Sequence, residues 1–520
     1  RRARRFGRRP GEIQTCLDPG VQATAQVYLQ DHLQRSADSL ADLGAAVVVL
    51  EVESGEVRAM IGSPSFFDSR GRGQYNAALA RRSSGSTLKP FLYALAFDQR
   101  VSSPATYLPD VPTPFASYIP ENYTRRYQGP VPAAEALAKS LNIPAVRLQR
   151  RVGTGRYLDL LQRCGFNSLY RRPQDYGLTL CVGGGEISLL DLAGAYTVFP
   201  GLGLWRPPEI LAIAGADRRP HNRIFSPGAA AAVLEALSTP DHLYRSGVIS
   251  QGYYGPSLGY KTGTSFGLRD AWTVAFSSSW VVAVWMGDVR GGSRSSLIGA
   301  KAALPLALPL CLELSGGNLP GWPETRELVE ADVCALSGYP PGPHCGSRRR
   351  VVLPLRSRGM PACRVHREVL VDESRGLEVC GCCLDGSATG SIVRKQVIDW
   401  PPEMAGWFER NVSSSSGRLP HDPACSGGSL ARSPEIVSPV DGSRFRLVRG
   451  ASFRQRLQFS AVAAADARKL FWFVDGELLA EADATDQVGW DLTAGNHRIR
   501  CVDDRGRVAA ASFEVSRDAP

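Results

Sequence analysis

Three short stretches of this 520-residue chain carry side chains that can make and break an acyl bond. "SSGSTLKPF" sets Ser86 and Lys89 three residues apart. A serine hydroxyl is a weak nucleophile until a base takes its proton, and a lysine is that base only where burial or a second cation holds it neutral. "YKTGTS" supplies the second cation as Lys261, followed by Thr262, Gly263 and Thr264. The hydroxyls can bind a carboxylate, and the glycine lets a substrate backbone come close. "KSLNIP" adds Ser140 and Asn142, two polar side chains that a loop can aim at a common cleft. Each stretch alone is commonplace: serine is a favoured helix cap, S-x-x-K recurs by chance, and K-T-G is more often only a turn. Together, in this order, they point to serine acyl transfer.

The elements that must position them follow from the pattern. Pro90 has no N–H, and its ring crowds the carbonyl of Ser86, so a helix through "LKPFLYALAFD" must begin within a few residues of Ser86. Ser86 then stands at the positive end of the helix dipole, with Lys89 on the same face. One tension remains, because proline disfavours helical geometry at Lys89. Upstream, "DPGVQATAQVYLQDHLQRSADSL" has helical spacing, and "AAVVVLEVESGEVRAMIGS" reads as a hairpin turning at Ser54-Gly55. Residues 133–198 are mostly helical in pattern. From residue 258, strands rich in Val, Trp and Phe return, with Ser277 to Ser279 as a turn. A hairpin, helices and more strands in one unit predict an antiparallel sheet flanked by helices, the α+β class.

The length predicts several domains. A net charge of +10 would suit a nucleic-acid partner, but six of those charges lie in "RRARRFGRR", leaving +4 on the rest, so no nucleic-acid partner is expected. The chain starts without Met, as expected of a piece of something longer, and no apolar run of about 18 residues is present. Near residue 325 the composition turns to Gly, Pro, Arg and Cys, and six of the twelve cysteines fall between Cys334 and Cys383. "NVSSSSGRLPHDPACSGGS" has the makeup of a linker, and the last part alternates in short runs punctuated by Asp-Gly, the pattern of a small β-sandwich.

The three motifs, with "QTCLDPGVQ", "GEVRAMIGSPSF", "LCVGGGEISLLDLAGAYTVFPGLG" and "YKTGTSFGLRDAW", make residues 14–310 resemble the transpeptidase part of a class A, bifunctional penicillin-binding protein. "CALSGYPPGPHC" and the terminal β-domain resemble the 1C type of that class. The middle motif reads S-L-N where S-D-N is common. The resemblance implies a serine β-lactamase/transpeptidase-like fold and these parts: 1–40 basic tail and linker, 41–325 transpeptidase domain, 326–408 cysteine-rich segment, 409–432 linker, and 433–520 C-terminal β-sandwich. It further implies that Ser86 is acylated, Lys89 takes its proton, Ser140 relays protons to the leaving group and Asn142 binds the substrate's amide. Lys261, Thr262 and Thr264 would hold the substrate carboxylate beside Gly263, and the N–H groups of Ser86 and Thr264 would form the oxyanion hole. The implied reaction is D,D-transpeptidation: attack on D-Ala-D-Ala stem peptides of peptidoglycan and crosslinking of those peptides, with β-lactams as acylating mimics. It needs no metal or cofactor and is expected at the periplasmic, extracytoplasmic face of the inner membrane. The glycosyltransferase domain and anchor that such proteins carry ahead of the transpeptidase are not among these residues, so only the crosslinking half is assigned.

Other readings share the motifs. A D,D-carboxypeptidase or a serine β-lactamase would pass the acyl group to water, and a sensor or scaffold would be acylated without turnover. Glu186 is expected to cap the helix after it and not to activate water. Cys334, Cys345, Cys363, His366, Cys380, Cys382 and Cys383 include zinc-type ligands, but the paired C-x2-C knuckles are missing, and outside the cytoplasm disulfides are favoured. Phe471, Trp472 and Phe473 read as core and edge of the sandwich. That domain is expected to be accessory, docking on glycan or other envelope proteins.

Overall fold

The computed structural model describes residues 13–36, 40, 42–68, 73–113, 120–212, 221–247, 257–316, 321–380, 391–400, 404, 407, 419, 433–447, 455–464, 467–504 and 507–517. The chain divides into two compact units. Residues 1–106, 132–331 and 350–360 form the first, and residues 107–131, 332–349 and 361–520 the second.

In the first unit, α1 (Pro19–Arg35) precedes the hairpin β1 (Gly44–Glu51) and β2 (Val57–Ile61). Asp18 caps α1 by accepting the Val21 N–H at 2.9 Å. The sequence-based division leaves α1 ahead of the domain, yet Ala25 and Leu29 are buried in the same core cluster as β1 and β2. A short 3-10 turn (Gly85–Leu88) leads into α2 (Lys89–Asp98). Next come α3 (Ala133–Ala138), α4 (Asn142–Val152), α5 (Thr154–Arg163), α6 (Leu189–Tyr196) and α7 (Pro227–Ser238). Three strands, β3 (Leu258–Thr264), β4 (Asp270–Ser277) and β5 (Trp280–Gly287), and the helix α8 (Leu304–Leu314) complete it.

The strands form one antiparallel sheet in the order β2-β1-β5-β4-β3. Strands β1, β4 and β5 are rich in apolar residues without strict alternation because they are buried on both faces. α1 and α8 cover one face and α6 the other, giving three layers. α2 is apolar all round since it lies inside the unit, in contact with α4, α5 and α7, and every residue from Lys89 to Phe97 is buried. Strand β3 is left at an edge of the sheet. No helix among the described residues is long and apolar enough to cross a membrane.

Strands β6 (Leu328–Cys334) and β7 (Arg348–Pro354) form a two-stranded sheet, and in the second unit β8 (His366–Asp372) stands between β9 (Leu377–Val379) and β10 (Ile392–Ile398). The C-terminal part has a three-stranded and a five-stranded sheet. Leu470, Trp472 and Val474 point into its core with Phe459 and Phe513, whereas Phe471 and Phe473 are half-buried. Arg500 lies over the Phe473 ring at 5.1 Å. This strand therefore alternates between core and surface, as its aromatic spacing suggests.

One buried titratable group backs the edge strand. His242 stacks on Tyr260 with ring centroids 4.1 Å apart, and its Nε2 lies 3.1 Å from the Tyr260 carbonyl. Burial pushes its pKa down to about 4. The unfolded chain takes up this proton below about pH 6.5 and the native protein only near pH 4, so stability falls as pH drops through that window, by ~3 kcal/mol for this group. We expect urea midpoints at pH 7 and pH 4.5 to lie closer together in His242→Gln than in the wild type; an equal separation would show that His242 does not carry the effect.

Candidate active site

The start of α2 solves the conflict that Pro90 poses. Lys89 keeps helical geometry with φ −55° and ψ −42°, and its N–H donates to the Ser86 carbonyl in the 3-10 manner. That carbonyl would otherwise wait for an N–H that proline lacks. Two buried tyrosines hold the next carbonyls: Tyr196 Oη donates to Thr87 O at 2.5 Å and Tyr157 Oη to Leu88 O at 2.8 Å. Burial drives both phenols well above their ordinary pKa, so they remain donors. Ser86 itself is half-buried, inside the 3-10 turn.

A second constraint presses this turn onto the edge strand. Gly85 has φ +56°, and a Cβ there would lie 2.4 Å from Thr264 O and 2.6 Å from Thr264 N. A Cβ on Gly263 would meet the Ser84 carbonyl at 2.3 Å. Only two glycines permit this backbone-to-backbone seating. It puts the Lys261-Thr262-Gly263-Thr264 run beside Ser86. Ser83 and Trp272 brace it, with Ser83 Oγ on Gly183 O and Trp272 Nε1 on Ser83 O, both at 2.8 Å. Thr264 Oγ1 accepts the Gly299 N–H at 3.0 Å, which orients its own proton.

Ser140 joins the two lysines. It sits between α3 and α4 with φ +57°, an uncommon geometry for a residue with a Cβ. Its carbonyl accepts from Lys89 Nζ at 2.6 Å, and its Oγ from Lys261 Nζ at 2.8 Å. Lys89 Nζ also reaches Leu141 O at 3.1 Å and Asn142 Oδ1 at 2.7 Å, and Lys261 Nζ reaches Thr262 O at 2.8 Å. Both lysines are buried, at 0% and 1% exposure. Burial, and then the charge of Lys89, hold Lys261 well below the ordinary lysine pKa. Two buried ammonium groups repel, so the pair favours one charge over two. An ammonium on Lys89 satisfies all three oxygens; a neutral amine satisfies two and keeps a lone pair.

The structure thus links Lys89, Ser140, Asn142 and Lys261 by direct hydrogen bonds, and brings Gly263 and Thr264 to the turn bearing Ser86. Tyr157, Tyr196 and Gly85 lie outside the S-x-x-K, S-L-N and K-T-G motifs; the hint in the sequence is a tyrosine closing the apolar run LLDLAGAY and another on the leucine face of TGRYLDLLQR, since a tyrosine needs a hydrogen-bond partner when buried. Glu186 does not have the capping role expected of it. Ser188 Oγ accepts the Asp191 N–H at 3.0 Å and caps α6, while Glu186 is exposed two residues earlier. A serine oxygen is near enough to its backbone to cap from this position.

Residues 45–295 match the model of the penicillin binding protein transpeptidase domain, and residues 424–513 match that of the Penicillin-Binding Protein C-terminus Family. The chain belongs to the penicillin-binding proteins. It is 27% identical over 516 residues to penicillin-binding protein 1C of Escherichia coli (strain K12), covering 96% of this chain and 64% of that protein. To penicillin-binding protein 1A of Aquifex aeolicus (strain VF5) it is 30% identical, covering 57% of this chain and 41% of that one. The chain thus spans less than two thirds of the length of these relatives. The fold also matches the PonA1 protein from Mycobacterium tuberculosis in complex with penicillin V, with a TM-score of 0.52 at 23% identity over 64% of this chain and 92% of that one. At that identity the likeness establishes the fold.

The glycine contact can be broken singly. Gly85→Ala adds a Cβ at a left-handed position and against Thr264, and is expected to cost at least ~2 kcal/mol in urea unfolding. An unchanged midpoint would mean that the turn can leave the strand without loss.

Proposed function

We infer that the first unit is a peptidoglycan D,D-transpeptidase that forms an acyl-enzyme on Ser86. The observation that carries this reading is the bonding of two buried lysines to the two ends of Ser140, beside a serine at a helix start and an open strand edge. In a penicillin-binding protein these parts have a direct chemical use.

A stem peptide ending in D-Ala-D-Ala lies along the free edge of β3, with its carboxylate on Thr262 and Thr264 and Lys261 behind them. Asn142, turned by its Oδ1 contact with Lys89, offers Nδ2 to the substrate's amide. Lys89, as the neutral amine, takes the Ser86 proton while Oγ attacks the carbonyl carbon of the penultimate D-Ala. The N–H groups of Ser86 and Thr264 receive the oxyanion, each donor worth ~3 kcal/mol. The C–N bond breaks, and the terminal D-Ala leaves with a proton delivered through Ser140. An amine of a neighbouring peptide then attacks the ester, loses its proton and frees Ser86. A β-lactam acylates Ser86 by the same first steps, but its ring-opened amine stays attached. The work is placed at the extracytoplasmic face of the inner membrane, where peptidoglycan lies. The C-terminal sandwich serves there as an accessory module that docks on glycan or on other envelope proteins.

Two variants test the assignment. A fluorescent penicillin should label the wild type covalently, as a band that survives denaturing electrophoresis, and leave Ser86→Ala dark; equal labelling of both would remove Ser86 from its role. Lys89→Arg keeps a cation but loses a base that can be neutral near pH 7, so the acylation rate should fall by ~100-fold or more while the circular dichroism spectrum is kept. Near-normal labelling of that variant would place the base elsewhere. With a stem-peptide donor and an amine acceptor, the ratio of crosslinked to hydrolysed product separates a transpeptidase from a carboxypeptidase.

A further inference from the structure

The disulfides expected of the cysteine-rich segment are not formed by Cys334, Cys345 and Cys363, which are free thiols. Cys382 and Cys383 lie outside the described residues. The three free thiols instead converge on one imidazole. His366 Nδ1 lies 3.5 Å from Cys334 Sγ, 3.4 Å from Cys345 Sγ and 3.5 Å from Cys363 Sγ. All four ligand atoms fall within 4.8 Å of one another.

This geometry is not that of a hydrogen-bonded cluster. One ring nitrogen carries a single proton or a single lone pair, and it cannot bond three sulfurs equally well. A tetrahedral ion can stand at the centre of all four atoms. With zinc–sulfur bonds of about 2.3 Å and a zinc–nitrogen bond of about 2.0–2.1 Å, each sulfur-to-nitrogen edge of the tetrahedron comes to about 3.6 Å. The three observed edges, 3.4 to 3.5 Å, agree with that value within the usual tolerance.

The surroundings are built independently of these distances. Cys334, Cys345 and Cys363 are buried, and Leu336, Tyr339 and Val365 pack around them. Gly338 N–H donates to Cys334 O at 2.9 Å, and Cys334 N–H to Tyr339 O at 2.8 Å, so Cys334 opens a closed turn. Gly342 N–H donates to Cys345 Sγ at 3.2 Å, which holds the sulfur in place. Cys363 N–H donates to Pro340 O at 2.7 Å and so ties its loop to the one that carries Cys345. A Cβ on Gly342 would lie 2.7 Å from Cys363 O, so the approach of these loops requires glycine there. The ligand spacing is C-x10-C, then C-x2-H. A serine, Ser337, stands where the second cysteine of a C-x2-C knuckle would be, which is why the sequence did not read as a metal site.

We propose that Cys334, Cys345, Cys363 and His366, through Nδ1, bind one Zn2+ ion as a closed structural site. Binding releases the three thiol protons and leaves a centre of net charge −1, with all four positions filled by protein and none open for a substrate. Soft thiolates with an imidazole in a tetrahedral set select zinc over magnesium or calcium. The ion joins the end of β6, the loop to β7 and the approach to β8, a region of short strands with only a few buried apolar side chains of its own. In an oxidising compartment it also keeps adjacent thiols from pairing.

The test uses the full chain, purified without chelator or affinity metal. Elemental analysis should find about one zinc per chain, and the metal should fall to background in Cys363→Ser. Cobalt exchanged into the wild type should give the intense visible bands of a tetrahedral site with thiolate-to-cobalt charge transfer. X-ray absorption at the zinc edge of the same protein should fit three sulfurs and one nitrogen, a readout that needs no variant to fold. Zinc below about a tenth of an equivalent, with no cobalt spectrum, would overturn the proposal. So would peptide mapping that pairs any two of Cys334, Cys345 and Cys363, or zinc that stays bound in Cys363→Ser.

Discussion

The active region depends on a contact between two stretches of bare backbone. Gly85 sits on Thr264 and Gly263 on Ser84, with no room for a methyl group at either place. This contact decides where the nucleophile's turn lies relative to the edge strand, and the rest of the first unit holds it in place. The sheet fixes β3 through its register with β4, Thr273 opposite Thr262 and Ala271 opposite Thr264. The tyrosines of α5 and α6 fix the turn by holding its carbonyls. Bulk at either glycine would part the turn from the strand, and the polar side chains, all otherwise intact, would no longer share a site.

The second dependence is on buried charge. Removing lysine ammonium groups from water is costly unless oxygens replace the lost hydration. Here the replacement comes from backbone carbonyls exposed at the junction of α3 and α4, where the helices leave them unused, and from one serine and one asparagine. Ser140 adopts an unfavourable φ and thereby presents its carbonyl to one lysine and its hydroxyl to the other. Local strain of this kind, maintained by the packing around it, is common where function requires a fixed geometry. The repulsion between the lysines then makes one charge on the pair more favourable than two.

The second unit contrasts two ways of holding β structure together. The C-terminal sandwich has a core of its own, built on Leu457, Phe459, Trp472, Ile499 and Phe513. The cysteine-rich part has only small apolar clusters, three valines between β8 and β10 and the apolar shell around the thiols. Sheets of two or three strands are marginal unless something else ties them. Four side chains converging on one point are such a tie, and this explains why the cysteines lie at strand ends and turns and not within the strands.

Much of this was legible in the order of residues. The apolar runs of β1, β4 and β5, the turn at Ser54-Gly55, the helix start forced by Pro90 and the three motifs are all local properties, set by backbone sterics and side-chain chemistry within a few residues. What sequence could not show is long-range. The seating of Gly85 on Thr264, the two faces of Ser140 and the tyrosine bonds at the helix start depend on which surfaces meet. The convergence of Cys334, Cys345, Cys363 and His366 belongs here too, because a ligand set with a serine in its first knuckle has no local signature. The sequence by itself determined which chemistry was available and which elements would carry it. Only the tertiary structure decided which atoms lie within bonding distance, because that depends on the packing of segments distant in the chain.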